Sequence, residues 1–140
     1  MKQDELFRAH PEYRHPKPPP KKLKLTGTDP KEAAILASVL QALNFYPSVA
    51  WAKRMNSGAY VIQADGKRRF IKYGFEGCSD IIGQMKPRRE GEPGAWLAIE
   101  VKTATGRVSE AQAAFLEEVS AHGGLAFVCR SVSDLKQHLC

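Results

Sequence analysis

Ala95-Trp96-Leu97-Ala98-Ile99-Glu100-Val101-Lys102 is the clearest strand in the chain, and its alternation decides how the rest is read. Successive side chains on an extended backbone point to opposite faces. Leu97, Ile99 and Val101 therefore enter a core, while Glu100 and Lys102 lie side by side on the other face at the strand's C-terminal end. A surface strand would show the same alternation, so Glu100 and Lys102 alone do not make a site. The stretch GFEGCSDIIG, residues 74–83, shifts the balance, because it sets Asp80 at the head of an apolar strand over residues 80–84. The intervening KPRREGEPG, residues 86–94, is a polar connection short enough for a hairpin that makes Asp80 and Glu100 neighbours.

Two carboxylates brought together raise each other's pKa unless a cation joins them. Mg²⁺ suits such a pair, since it is a hard cation that takes oxygen ligands and keeps waters and substrate phosphates in its shell. Lys102 beside the ion would position or deprotonate an attacking water, while the ion acidifies that water and neutralises charge developing on a phosphate. These are the parts of a hydrolytic phosphodiester site.

Outward from this hairpin the elements fall into order. Downstream, Ser109 caps a helix from about Glu110 to Ala121 that ends at Gly123-Gly124. Leu125 to Cys129 is wholly apolar and reads as a strand buried on both faces, and Ser131 caps a last short helix. Upstream, Asp29 is an N-cap, Pro30 suits the first helical position, and Ile35, Leu36, Val39, Leu40 and Leu43 recur at helical spacing. Val49 to Arg54 reads as a strand, Asn56-Ser57-Gly58 as a turn, Ala59 to Gln63 as a short strand, and Arg69 to Tyr73 as extended. The expected fold class is α/β, a central mixed sheet flanked by helices with an α-β-β-β-α-β core.

Two polar residues sit at helix starts on otherwise apolar stripes. Gln112 shares the stripe of Phe115, Leu116 and Val119, yet Ser109-Glu110-Ala111-Gln112 is also a capping box. Glu32 shares the stripe of Ile35, Leu36 and Val39, yet it also stands at the third position after Asp29. Each reads either as a cap or as a member of a common polar pocket.

Length and composition bound the rest. At 140 residues and 43% hydrophobic, the chain is one globular domain with a tail. Residues 1–25 are rich in Lys, Arg and Pro and read as a disordered basic arm, either a phosphate-tracking element or a plain leader, with the folded domain over 26–140. The charge of +6 favours an anionic partner such as nucleic acid. No apolar run is long enough to span a bilayer and the N-terminus lacks a secretory core, so no membrane partner is expected and a cytoplasmic location is. Cys78, Cys129 and Cys140, like the four histidines, show no metal-ligand spacing, which leaves oxygen ligands for any metal.

The split motif Asp80 … Glu100-x-Lys102, followed by a helix, resembles the PD-(D/E)XK nuclease superfamily and, more narrowly, a stand-alone VRR-NUC domain of phage and bacterial type. The resemblance rests on WAKRMNSG (51–58), GFEGCSDIIG (74–83), LAIEVKT (97–103), GRVSEAQ (106–112) and GGLAFV (123–128), which occur in the family's order. It implies a restriction-endonuclease-like fold and a Mg²⁺-dependent DNA endonuclease, with Mn²⁺ able to substitute. Asp80, Glu100 and Val101 would be the metal positions, Lys102 would serve the nucleophile, Gln112 would support the site, and Glu32 would match an acidic residue on the first helix. It further implies a homodimer acting on branched or Holliday-junction DNA. Ser79 departs from the proline that many members carry before the aspartate, which weakens any argument for a rigid Asp80. Arg54, Asn56, Lys86, Arg88 and Arg89 are candidate DNA contacts; Asn56 equally makes the turn, and the last three equally form a solvated loop. Lys67, Arg68 and Arg69 carry the same two readings. A non-catalytic nucleic-acid-binding module, or a nuclease-fold subunit of a larger DNA-processing complex, is the competing function.

Overall fold

The computed structural model describes residues 29–140; the basic arm expected over residues 1–25 lies outside them. Helix α1 spans Pro30–Leu43 and begins as its sequence dictates, with Asp29 accepting a hydrogen bond from the Lys31 N–H at 2.9 Å. Five strands follow: β1 (Val49–Arg54), β2 (Gly58–Ala64), β3 (Lys67–Tyr73), β4 (Ile81–Met85) and β5 (Trp96–Val101). Helix α2 (Glu110–Ala121) crosses to β6 (Leu125–Cys129), and a 3-10 turn (Val132–Asp134) runs into the short helix α3 (Leu135–Leu139).

The strands form two sheets rather than one. Four of them make a central mixed sheet in the order β1-β4-β5-β6, antiparallel except for the β5/β6 pair. Strands β2 and β3 leave this sheet and pair only with each other, as a two-stranded ribbon inserted between β1 and β4. Without the ribbon the order is α-β-β-β-α-β, the core expected from the sequence.

The inner face of β5 explains the core. Leu97, Ile99 and Val101 are fully buried against Leu36, Val39 and Leu43 of α1 and Leu135 and Leu139 of α3. Burying each such aliphatic side chain contributes roughly 1.5–3 kcal/mol, which makes this helix-on-sheet layer the main source of stability. The other face of β5 is closed as well, since Ala98 and Glu100 are also buried. Strand β6 corrects an expectation: only Phe127 and Cys129 are buried, while Leu125, Ala126 and Val128 remain partly open. Its place at the sheet edge is the reason, because a neighbour covers it on one side only. Among the described residues no helix is long and apolar enough to cross a membrane.

Candidate active site

The register of β4 against β5 pairs Ile81 with Ile99 and Ile82 with Ala98. One step further it sets Asp80 opposite Glu100, where directly opposed side chains share a face. Asp80 itself lies just before β4 rather than within it. Two bonds hold it there: its carbonyl accepts from the Met55 N–H at 2.7 Å, and its Oδ2 accepts from the Val101 N–H at 2.9 Å. These contacts give Asp80 the fixed position that Ser79, in place of proline, leaves unexplained in the sequence.

Glu100 is 1% exposed, and its two oxygens have different environments. Oε1 takes the Lys102 ammonium at 2.9 Å and the Gln112 side-chain amide at 2.6 Å. Oε2 is buried with no hydrogen-bond partner. Burial pushes the Glu100 carboxyl up to about 7; the Lys102 hydrogen bond and charge oppose the shift, and the neighbouring Asp80 carboxylate reinforces it. Lys102 responds in kind. Burial alone would lower its pKa, but its hydrogen bond and charge pairing with Glu100, then the charges of Glu32 and Asp80, raise it. In the protein without metal Lys102 is therefore an ammonium.

The two helix starts converge on this centre. Gln112 makes both bonds that the sequence offered as alternatives. Its Oε1 accepts from the Ser109 N–H at 2.9 Å, completing the capping box, and its Nε2 donates to Glu100. The cap thus orients the amide so that its donor end faces the carboxylate. Glu32 is different: Asp29 caps α1 through Lys31, and Glu32 reaches Lys102 Nζ at 3.7 Å. Among the described residues three carboxyl groups and one ammonium share the pocket, so full ionisation of these four leaves negative charge uncompensated.

That imbalance gives a pH prediction for the metal-free protein. Glu100 titrates near 4.5 unfolded and about 7 folded, so the folded state holds a proton that the unfolded chain releases between those values. Stability should therefore fall as pH rises from about 4.5 through about 7, by an amount on the order of 3 kcal/mol. Urea midpoints at pH 5 and 7.5 measure it; equal midpoints would mean Glu100 is ionised throughout.

The centre suits a hard divalent ion on its donor chemistry. The partnerless Oε2 of Glu100 is a buried anionic donor beside a second carboxylate. Val101 directs its N–H at Asp80, and in an extended strand the carbonyl of the same residue opens to that side. Among the described residues no three His, Cys, Asp or Glu side chains form a ready cage.

The other candidates divide by position. Arg54 pairs with Ile81 and, with Asn56, stands exposed at the Asp80 end of the sheet. Lys86, Arg88 and Arg89 are exposed in the β4–β5 connection, at the opposite end of those strands from Asp80 and Glu100, and Arg89 lies 3.8 Å from Glu92. They do not join the acidic centre. Arg130, unremarked in the sequence, does shape it: its Nη1 donates to the carbonyls of Thr103 at 2.6 Å and Gly106 at 2.8 Å, clamping the loop that follows Lys102. The only signal was an arginine directly after the β6 strand. Ser79 is fully buried with its hydroxyl unpartnered. Ser79→Ala is expected to be neutral or to stabilise by up to about 1 kcal/mol, since it removes an unsatisfied polar group. A clear drop in melting temperature would show that the hydroxyl has a partner after all.

Comparison with known proteins adds one match. The family model of the VRR-NUC domain covers residues 31–133, from the first turn of α1 to the 3-10 turn after β6. No curated protein and no solved structure matches the chain.

Proposed function

Because the chain belongs to the VRR-NUC domain family, a PD-(D/E)XK-like family of nucleases with a restriction-endonuclease-like fold, we propose that it is a Mg²⁺-dependent endonuclease that hydrolyses phosphodiester bonds of branched or junction DNA. The observation that carries the reading is the buried, partnerless Oε2 of Glu100, set beside Asp80 and Lys102. Asp80, Glu100 and the Val101 carbonyl would hold the ion. A divalent ion there supplies positive charge to the scissile phosphate and acidifies the attacking water.

The protein's own groups do the rest. Lys102, held by Glu100 and Glu32, directs its ammonium at the attacking water and at charge developing on the phosphate. Loss of its proton, and so a role as base, requires that the carboxylate charges around it first be neutralised. Gln112 fixes the Glu100 carboxylate by a bond its own capping role orients. Glu32 anchors Lys102 from the first turn of α1. Arg54 and Asn56, exposed at this end of the sheet, are the nearest of the candidate phosphate contacts.

Cleavage of labelled linear, flapped and four-way-junction DNA with Mg²⁺, Mn²⁺ or chelator tests the proposal, with a Glu100→Ala protein alongside to exclude a contaminating nuclease. Metal-dependent cutting of branched DNA that vanishes in the variant is the expected result. Binding without cutting under every condition would favour a non-catalytic module. A four-way junction offers two symmetric sites, so a two-fold homodimer is the expected assembly, and a monomer by sizing in solution would count against it.

A further inference from the structure

The β2–β3 ribbon has no part in the chemistry proposed above, yet its surface is built for an anion. Over residues 58–73 it carries Lys67, Arg68, Arg69 and Lys72 against the single acid Asp65. None of the four cations is in an ion pair among the described residues. The register opposes Ala59 to Lys72, Val61 to Phe70 and Gln63 to Arg68, so Arg68, Phe70 and Lys72 share one face. Val61 and Phe70 are 42% and 64% exposed there, whereas Ile62 and Ile71 on the other face are half-buried. A cation, an aromatic ring and a second cation thus follow one another along a strand, with roughly 7 Å between neighbours.

This face leads to the catalytic centre. Ala59, Lys72 and Tyr73 at the base of the ribbon line a cleft of about 370 Å³ together with Ser109 and Gln112, and Gln112 is bonded to Glu100. The base is tightly closed: a side chain at Gly74, where φ is +74°, would lie 2.8 Å from Ser57 Cβ, and one at Gly58 would lie 2.9 Å from the Tyr73 hydroxyl. The ribbon's direction is therefore set where it borders the cleft.

We infer that the β2–β3 ribbon is a DNA-binding element that holds an unpaired strand beside the cut site, with Phe70 stacked on an exposed base and Arg68 and Lys72 on flanking phosphates. This rests on the nuclease reading and names its substrate feature. An unpaired base offers Phe70 a free ring face that a base stacked inside a duplex does not, whereas the cations by themselves would serve any phosphate backbone. The pairing of ring and cations on one face therefore selects DNA with a single-stranded arm over a closed duplex.

The test uses the full chain and three DNAs: a blunt duplex, a flapped duplex and a single strand, the last two carrying 2-aminopurine in the unpaired segment. Binding is measured in chelator and in Ca²⁺, over a range of salt. The parent protein should prefer flapped DNA and quench the 2-aminopurine. Phe70→Ala should lose the quenching and weaken flap binding roughly 5- to 100-fold while leaving duplex affinity within about twofold. Phe70→Tyr should retain both. Arg68→Gln with Lys72→Gln should flatten the salt dependence of single-strand binding by a slope of about 1.4, or about 0.7 for each phosphate that is no longer neutralised.

Unchanged quenching and flap preference in Phe70→Ala overturn the inference. So does a double variant that weakens duplex and flap equally, which would make the ribbon a plain duplex contact. A parent protein that shows the preference but never cuts with Mg²⁺ or Mn²⁺ sinks the nuclease reading and leaves the ribbon standing. Normal cutting and binding in every ribbon variant does the reverse.

Discussion

A Lys102→Ala protein is expected to fold, to bind DNA and to cut it about 10²- to 10⁴-fold more slowly than the parent. Its ammonium lies at the centre, 2.9 Å from Glu100 and 3.7 Å from Glu32, and the side chain is nearly buried. Removing it leaves Glu100 with the Gln112 amide and takes away the cation that holds its raised pKa down, so the carboxyl can take up a proton and the pocket need not unfold to accommodate the loss. Divalent-ion binding should survive, because both carboxylates remain. Glu100→Ala should differ in kind: it strips the buried donor and releases both Lys102 and Gln112, so metal affinity falls along with the rate. Single-turnover cleavage and metal titration followed by calorimetry separate the two. Parent-like cutting by Lys102→Ala would show that the assigned role is wrong.

Gly77→Ala should cost about 2–5 kcal/mol of stability for a single added methyl group. Its φ is +83°, a conformation that costs an alanine roughly 1–2 kcal/mol, and the added carbon would strike the backbone carbonyl of Ala111 in the first turn of α2. Overpacking against a backbone adds roughly 1–3 kcal/mol. Gly91 provides the control, since it has the same φ of +83° with nothing within 4 Å of the added carbon. Gly91→Ala should therefore lose only the conformational share. Urea midpoints at constant slope measure both. Gly77 stands three residues before Asp80, and Ala111 immediately precedes Gln112. The same collision should push apart the loop and helix that carry the site, and cleavage should fall further than the folded fraction. Equal losses for the two glycines would mean that the loop yields without disturbing α2.

Much of this protein is legible in its amino-acid order. The strand Trp96–Val101, the helix from Asp29 and Pro30, the capped helix from Glu110 and the order of the core elements all follow from local rules: alternation, helical spacing and capping chemistry act within a few residues of one another. The pairing of Asp80 with Glu100 is legible too, because a short polar connection between two apolar strands leaves few registers open. Other features depend on residues far apart in the chain. Nothing local tells whether Val61 and Phe70 join the central sheet or leave it, since a half-buried strand and a free ribbon share one alternation. The same holds for β6, whose apolar run suits either a central strand or the edge it occupies. Gln112 as cap or as support has no answer in the sequence, and the fold resolves it by making both bonds at once. Glu32 on Lys102, Arg130 on the Thr103–Gly106 loop and the raised pKa of Glu100 arise from contacts that long-range packing alone creates. Local chemistry settles which segments are helices and strands, whereas charge, burial and hydrogen bonding at the site belong to the neighbours that folding brings in.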